Sequence, residues 1–178
     1  MDVYRDHVSL FTRRPTLPDT LRRSLDLPAA DRVLAAAELA DGAGWLVATR
    51  RALHVLPTTG DRLTRPWSEV DRGSFDPEGP AITVYWVTGD EQRYALAAPT
   101  PVRFAQTFRE RVQSSVVHVQ NVQVPGAGTV RVALRRDPDG ALLTQVIGSA
   151  QVDLADPGTA ALVDATEREV RAAAGLRD

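Results

Sequence analysis

The sequence has no cysteine and no lysine, so all 21 of its basic residues are arginine. Without cysteine, the chain has no disulfide, no thiolate metal site and no thiol nucleophile. Without lysine, it has no phosphate-loop lysine of the Walker type. The exclusive use of arginine is typical of a GC-rich bacterial genome and does not by itself indicate a function. These absences exclude several classes of enzyme and metal site, and they are compatible with a reducing compartment.

Long apolar runs are also missing. The amino terminus, MDVYRDHVSLFTRRPTL, interrupts every apolar stretch with a charge or a proline, so it does not supply the apolar segment of a signal peptide. No uncharged apolar stretch elsewhere approaches the ~20 residues that a membrane-spanning helix requires. We therefore expect a cytoplasmic protein with no stable membrane insertion.

Charge is not concentrated in any part of the chain. Its 21 arginines and 23 acidic residues are interleaved from end to end, with a net charge of −2. Nucleic-acid-binding proteins usually present a concentrated basic face, so we expect no nucleic-acid partner. The apolar fraction of 43% and the charged fraction of 25% are those of an ordinary globular protein.

Residues 45–97 are predicted to form short strands separated by turns. The alternation is clearest in residues 81–87, where Ile82, Val84 and Trp86 fall on one side. The predicted strands are 45–49, 52–56, 81–87 and 92–97. Residues 32–39, RVLAAAEL, stay open between strand and helix, because propensity and capping favour a helix there.

Two amphipathic helices are predicted after these strands. The first covers residues 101–116, and its apolar residues recur at every fourth position: Phe104, Phe108, Val112 and Val116. The second begins with Asp156 as a capping residue and Pro157 at the first helical position, and it runs to about residue 174, before Gly175. A short helix at residues 19–27 is predicted in the amino-terminal segment.

Three further strands are predicted between the two amphipathic helices. They cover residues 117–124, 129–136 and 142–147. Residues 137–140, Asp-Pro-Asp-Gly, form a typical turn between the last two. The turn also has the opening residues of a calcium loop, but the acidic ligand expected downstream is missing, so a hairpin turn accounts for it.

Several segments together resemble the pleckstrin-homology-like and GRAM-like domains of bacteria. The segments are RVLAAAEL, GWLVATRRALHVL, RPWSEV, AITVYW and RYALAAP, followed by the first amphipathic helix. The resemblance covers about residues 31–117, and over most of its length the chain also resembles actinobacterial proteins. It implies an α+β fold in which a pleckstrin-homology-like antiparallel β roll is closed by a helix. RVLAAAEL would then be the first strand, and the alternative is an unrelated mixed sheet with a helix on one face.

This interpretation divides the chain into three parts. Residues 1–30 are expected to form an N-terminal arm, residues 31–117 the roll, and residues 118–178 a β-hairpin and helix extension. The extension is not part of the usual plan of the resembled domain.

The sequence does not contain a recognisable catalytic or metal-binding constellation. His7, His54 and His118 are far apart and have no spacing typical of metal ligands or of a nucleophile and its base. Residues 126–128, Gly-Ala-Gly, lack the third glycine of a dinucleotide-binding loop and precede a strand. We therefore predict no enzymatic activity, no metal and no cofactor.

Adjacent arginines are the best candidates for binding an external group. Guanidinium groups bind phosphate or carboxylate through paired hydrogen bonds, although exposed arginines at turns are also ordinary. Such pairs occur at Arg22–Arg23, Arg50–Arg51 and Arg135–Arg136. We take Arg50, Arg51, Arg135 and Arg136 as candidates for ligand or interface contacts.

The predicted function is a non-enzymatic protein-interaction or assembly module that binds a protein partner or itself. Residues 117–147 add strands whose outer edge has no evident cover, so association is expected to use the extension. The alternative is a small-ligand or lipid-headgroup binding domain, but the first hairpin loop, residues 40–44, is acidic and lacks the arginine expected for lipid binding. The second alternative is an enzyme whose site is assembled from distant segments.

Overall fold

The computed structural model describes residues 16–76, 78–99, 101–148 and 152–176. Residues 1–15 of the predicted N-terminal arm, including His7, lie outside the described residues. The described residues form an α+β protein with three antiparallel sheets and three α-helices. No helix in these ranges is long and apolar enough to cross a membrane.

The elements follow the chain in two groups of strands, each followed by a helix. The helices are α1 Asp19–Arg23, α2 Val102–Ser115 and α3 Pro157–Ala173. The strands are β1 Val33–Glu38, β2 Gly44–Thr49, β3 Ala52–Pro57, β4 Leu63–Pro66, β5 Val70–Phe75, β6 Ala81–Trp86, β7 Glu91–Ala95, β8 Val116–Val124, β9 Gly128–Arg136 and β10 Leu142–Ile147. One-turn 3-10 helices lie at Ala40–Gly42 and Trp67–Glu69.

The first sheet has the strand order β1-β2-β3-β4. It decides the open question at residues 32–39, because β1 is a strand there. Ala35 and Ala37 are buried in the main core, while Val33 and Ala36 pack on the opposite face against a second cluster around Trp45. With both faces covered and a neighbour in β2, this alanine-rich segment is held as a strand against its helix propensity.

Helix α1 is shorter than the predicted helix at residues 19–27. It ends at Arg23, and the chain then turns through Ser24 to Asp26, which has a positive φ of 46°. Leu21 and Leu25 nevertheless both pack on the Trp45 cluster. The two leucines were correctly placed on one side, although only the first of them is helical.

The second sheet has the order β5-β6-β7, and β4 and β5 were not among the predicted strands. β5 has the sequence VDRGSF, whose polar residues do not resemble a buried strand. It is held as a strand by antiparallel pairing with β6. Gly73 lies under the ring of Phe108, where a Cβ would be 2.3 Å from a ring carbon. The close approach of helix and strand therefore requires glycine at this position.

Helix α2 closes the core between the first two sheets, which are joined at one end by a bridge between Leu39 and Leu96. Phe104 and Phe108 are fully buried in this core, as the four-residue spacing predicted. Phe108 makes edge-to-face contacts with Trp67, at 5.5 Å between ring centroids, and with Phe75, at 6.1 Å. Such pairs add to the stabilisation from area burial alone.

The third sheet has the order β10-β9-β8 and is covered on one face by α3. The three strands and the helix lie within one or two residues of their predicted positions. The predicted cap is confirmed, because the Asp156 carboxylate accepts a hydrogen bond from the Thr159 backbone N–H at 2.8 Å. The core between the third sheet and α3 is formed by the buried residues Val122, Val124, Val130, Val132, Leu134, Val163 and Val170.

The central position of Phe108 gives a test of the main core. Replacing Phe108 with alanine should lower the free energy of unfolding by about 3 to 5 kcal/mol, as expected for a buried aromatic residue. Chemical denaturation measures the loss, with Val102→Ala on the same helix as the control. Val102 is 69% exposed, and its truncation should change stability by less than about 0.5 kcal/mol. Similar losses in the two variants would show that Phe108 is not a core residue.

Candidate functional site

The third sheet meets the first part of the molecule through one face of β9. Arg131, Ala133 and Arg135 alternate along this strand and so share a face, opposite the residues that α3 covers. Ala133 is fully buried, although α3 lies on the other side. The two arginines on this face reach across to β5 and to the turn before it. This face therefore forms the junction at which the candidate site lies.

The carboxylate of Asp71, on β5, lies at the centre of the junction, and its side chain is only 7% exposed. It accepts a hydrogen bond from Arg131. It also forms ion pairs with Arg135, at 3.5 Å, and with Arg72, at 3.6 Å. One buried acid thus faces three guanidinium groups, two of which come from the extension.

Arg135 is the largest fully buried side chain of the described residues, with 2% of its surface exposed. It donates hydrogen bonds to the carbonyl oxygen of Val70, at 2.8 Å, and to the hydroxyl of Ser115, at 3.0 Å. Burial lowers the pKa of Arg135, and the charge of Asp71 opposes that effect. The cation is therefore compensated mainly by a carboxylate and a carbonyl from β5.

A cleft of about 440 Å3 opens beside this junction. It is bounded by the β2–β3 turn, the end of α2 and the β9–β10 turn. Its charged lining residues are four arginines and two aspartates, a net charge of +2 in a chain whose total is −2. They are Arg50, Arg51, Arg111, Arg136, Asp137 and Asp139. The cleft is therefore a local concentration of positive charge that the linear sequence does not reveal.

The structure brings three of the four predicted arginines together. Arg50, Arg51 and Arg136 line the cleft, whereas Arg135 lies behind the wall that Trp67 and Ser115 form. Arg135 is thus an intramolecular contact and is buried, while its neighbour Arg136 is exposed. Adjacent residues of a strand point to opposite faces, which separates the two. The earlier pair, at residues 22 and 23, is exposed on α1 and does not line the cleft.

Sequence reasoning missed Arg111, Asp71 and Arg131. Arg111 lies on α2, and no sequence motif marks it. Its side chain is half-buried, and its Nε is buried and has no hydrogen-bond partner in the described residues. Asp71 and Arg131 meet across 60 positions in the chain, so no local pattern connects them.

The two acids of the cleft are engaged within the protein. Asp139 pairs with Arg51 at 2.6 Å, and the Arg51 guanidinium also donates to the carbonyl oxygen of Pro138. One oxygen of Asp137 accepts the backbone N–H groups of Asp139 and Ala141, both at 2.8 Å, which closes the turn. Residues 137–140 therefore form the predicted hairpin turn and bind the β2–β3 turn through Arg51.

The described histidines occupy separate environments. His54 is buried, and its two ring nitrogens lie 3.3 Å from the Thr49 hydroxyl and 3.0 Å from the Thr64 hydroxyl. Burial lowers the pKa of His54, which favours the neutral ring. His118 is exposed on β8. Within the described ranges, no three His, Asp or Glu side chains form a group able to hold a metal ion.

The edge strands of the third sheet differ from those of the other two sheets. Strands β1, β4, β5 and β7 each contain at least one acidic residue or arginine. Strands β8 and β10 contain neither. On β8, Val117 and Val119 are 37% and 38% exposed. In the part of the chain that the structure describes, β8 pairs with β9 alone.

No family model, curated protein or solved structure matches this chain.

The buried position of Asp71 gives a prediction about stability. Asp71→Asn keeps the size of the side chain but leaves the Arg135 cation buried without its acid. Breaking a buried ion pair in this way should lower the free energy of unfolding by about 3 kcal/mol or more. Chemical denaturation measures the change.

Glu69→Gln is the matched control, because it also converts an acid into its amide two residues away. Glu69 pairs with Arg65 at 2.7 Å, but both side chains are more than one-third exposed. Its loss should cost less than about 1 kcal/mol. Equal effects of the two substitutions would contradict a buried charge cluster at Asp71.

Proposed function

We propose that this chain is a non-enzymatic assembly module that pairs with a second copy of itself through strand β8. The observation that carries the proposal is an edge strand of nine residues, VVHVQNVQV, without an acidic residue, an arginine or a proline. Natural edge strands are usually short, charged or interrupted, because their free N–H and C=O groups otherwise pair with another chain. Strand β8 is neither short nor charged, and its pairing with β9 is interrupted only by one shift in register, between Val116 and His118.

The other edges of the same molecule support this interpretation. β4 has four residues, including Arg65 and Pro66, and β7 carries Glu91 and Arg93. These two edge strands carry the usual protection against pairing with another chain. The unprotected edge of β8 is therefore not a general property of this protein's sheets. The difference is specific to the sheet that the extension adds.

A two-fold arrangement suits the side chains of β8. Two copies paired antiparallel with His118 at the axis would place Val117 of one copy opposite Val119 of the other. Both half-exposed valines would then be covered at once. A contact in which the same patch is used by both partners closes a dimer and leaves no free binding site for further copies. The occupant that we propose is therefore a second copy of this chain.

We also propose that residues 31–117 form a pleckstrin-homology-like roll that serves as the rigid support for the extension. Support comes from the element order, in which β1 to β4 form one meander, β5 to β7 form another, and α2 follows. Helix α2 lies on the core that the two meanders share. In this proposal the assembly function belongs to the extension, and the roll positions it.

Size-exclusion chromatography with light scattering tests the assembly proposal. The unaltered chain should be a dimer whose population rises with concentration. Val119→Arg should shift it to a monomer, because each arginine would replace an apolar contact with Val117 of the other copy and would lie diagonally across from the second arginine. Circular dichroism should be unchanged, since Val119 is half-exposed.

Val102→Arg is the matched control, because it introduces the same charge at an exposed valine on α2. It should leave the dimer intact. A chain that stays monomeric at high concentration, or a dimer that Val119→Arg leaves unchanged, would refute pairing through β8.

A further inference from the structure

We propose that the arginine cleft binds a phosphoryl group, carried by a soluble phosphate or by a lipid headgroup. This site is separate from strand β8, so it does not depend on the assembly proposed above. The ion pairs within the cleft leave several of its cations without an anion.

The guanidinium groups of three of the four arginines in the cleft have no carboxylate partner among the described residues. Arg51 is paired with Asp139, and Asp137 is engaged by the hairpin turn. Among the described residues, Arg50, Arg111 and Arg136 form no ion pair. The guanidinium of Arg50 donates only to the carbonyl oxygen of Ala30, at 3.2 Å, and that of Arg136 only to the carbonyl oxygen of Gly140, at 3.4 Å. The Asp31 carboxylate accepts the backbone N–H of Arg50, at 2.9 Å, and not its guanidinium.

The third unpaired arginine is held inside the cleft. Arg111 is half-buried on α2, and its buried Nε has no hydrogen-bond partner in the described chain. An unpaired buried donor costs free energy that a bound acceptor would recover. Arg135 Nε, outside the cleft, is likewise buried without a partner, so it is the place of Arg111 in the lining of the cleft that makes its guanidinium a candidate for an external acceptor.

The charge and shape of the cleft favour a phosphoryl group over a carboxylate. The lining carries a net charge of +2, and a phosphate monoester carries a charge of about −1.5 to −2 at neutral pH. Guanidinium groups donate two parallel hydrogen bonds to phosphate oxygens. Three such groups match a tetrahedral anion with several acceptor oxygens better than a planar one with two.

Contacts within the chain connect the walls of the cleft. The Arg51–Asp139 pair holds the β2–β3 turn against the β9–β10 turn, and Arg135 anchors the wall at Ser115. Arg50 and Arg136 project from these two turns, while Arg111 comes from the helix between them. A preorganised set of cations loses less entropy on binding than a flexible one.

Titration of the isotope-labelled protein with inorganic phosphate, at constant ionic strength, tests the proposal. Saturable NMR shifts should appear at the amides of Arg111, Ser114 and Ser115. The double variant Arg50→Gln/Arg136→Gln changes two exposed side chains, so it should remain folded. Its affinity for phosphate should be at least about tenfold weaker, since each hydrogen bond between charged groups contributes more than an ordinary one.

Arg103→Gln is the control, because Arg103 is exposed on α2 and does not line the cleft. It should bind phosphate like the unaltered chain. No saturable shift, an unchanged affinity in the double variant, or an equal loss in the control would overturn the proposal.

Sedimentation with phosphatidylcholine vesicles that contain a phosphatidylinositol monophosphate distinguishes the two sources. Cosedimentation that inorganic phosphate reverses would identify the lipid headgroup. Phosphate binding without cosedimentation would identify a soluble phosphoryl ligand. Both results follow from the same cleft, and a failure of both phosphate and vesicle binding would contradict it.

Discussion

The carboxylate of Asp71 faces Arg131 and Arg135 in a place from which water is largely removed. Burial of either partner alone would be very costly, and the attraction between them offsets that cost only in a well-defined geometry. The carbonyl oxygen of Val70 and the hydroxyl of Ser115 supply further acceptors for Arg135. An apolar contact would tolerate sliding, whereas these directed bonds fix the position of the third sheet against the first two.

The cleft depends on this placement. Its walls come from two parts of the chain that are otherwise separate, the β2–β3 turn with α2 on one side and the β9–β10 turn on the other. Arg135 faces inward and holds the junction, while its neighbour Arg136 faces the cleft. The same two-residue sequence thus supplies a structural cation and an accessible one. Strand β8 is positioned by the same sheet, so both proposed binding surfaces depend on the Asp71 cluster.

Much of the fold could be predicted from local patterns. The four-residue spacing of Phe104 and Phe108 and the capping role of Asp156 are properties of short segments, and both are confirmed. β1 could not be assigned in this way, because its strand form comes from contacts on both faces. β5 was missed because its sequence, VDRGSF, is polar and contains a glycine, which argues against a strand. The reason for that glycine is the ring of Phe108 above it, which is distant in the sequence.

The site was predictable only in part, for a physical reason. Adjacent arginines marked Arg50, Arg51 and Arg136 as candidates, and the structure places all three around one cleft. The same pattern does not distinguish Arg136 from Arg135. Which of the two is buried depends on the packing of β5 against one face of β9, where Asp71 and Val70 bind Arg135. Asp71 gives no local signal of its burial, since its arginine partners lie in the extension.

Native-state hydrogen exchange tests most directly whether the Asp71 cluster joins the first two sheets and the third sheet into one cooperative structure. The amides of Val84 on β6 and Val132 on β9 report on the two cores, and both residues are fully buried. In the unaltered chain, the two amides should exchange with the same free energy of opening. Asp71→Asn should lower the free energy of opening at Val132 by more than it lowers that at Val84. A lower free energy for Val132 already in the unaltered chain, unaffected by Asp71→Asn, would contradict the account.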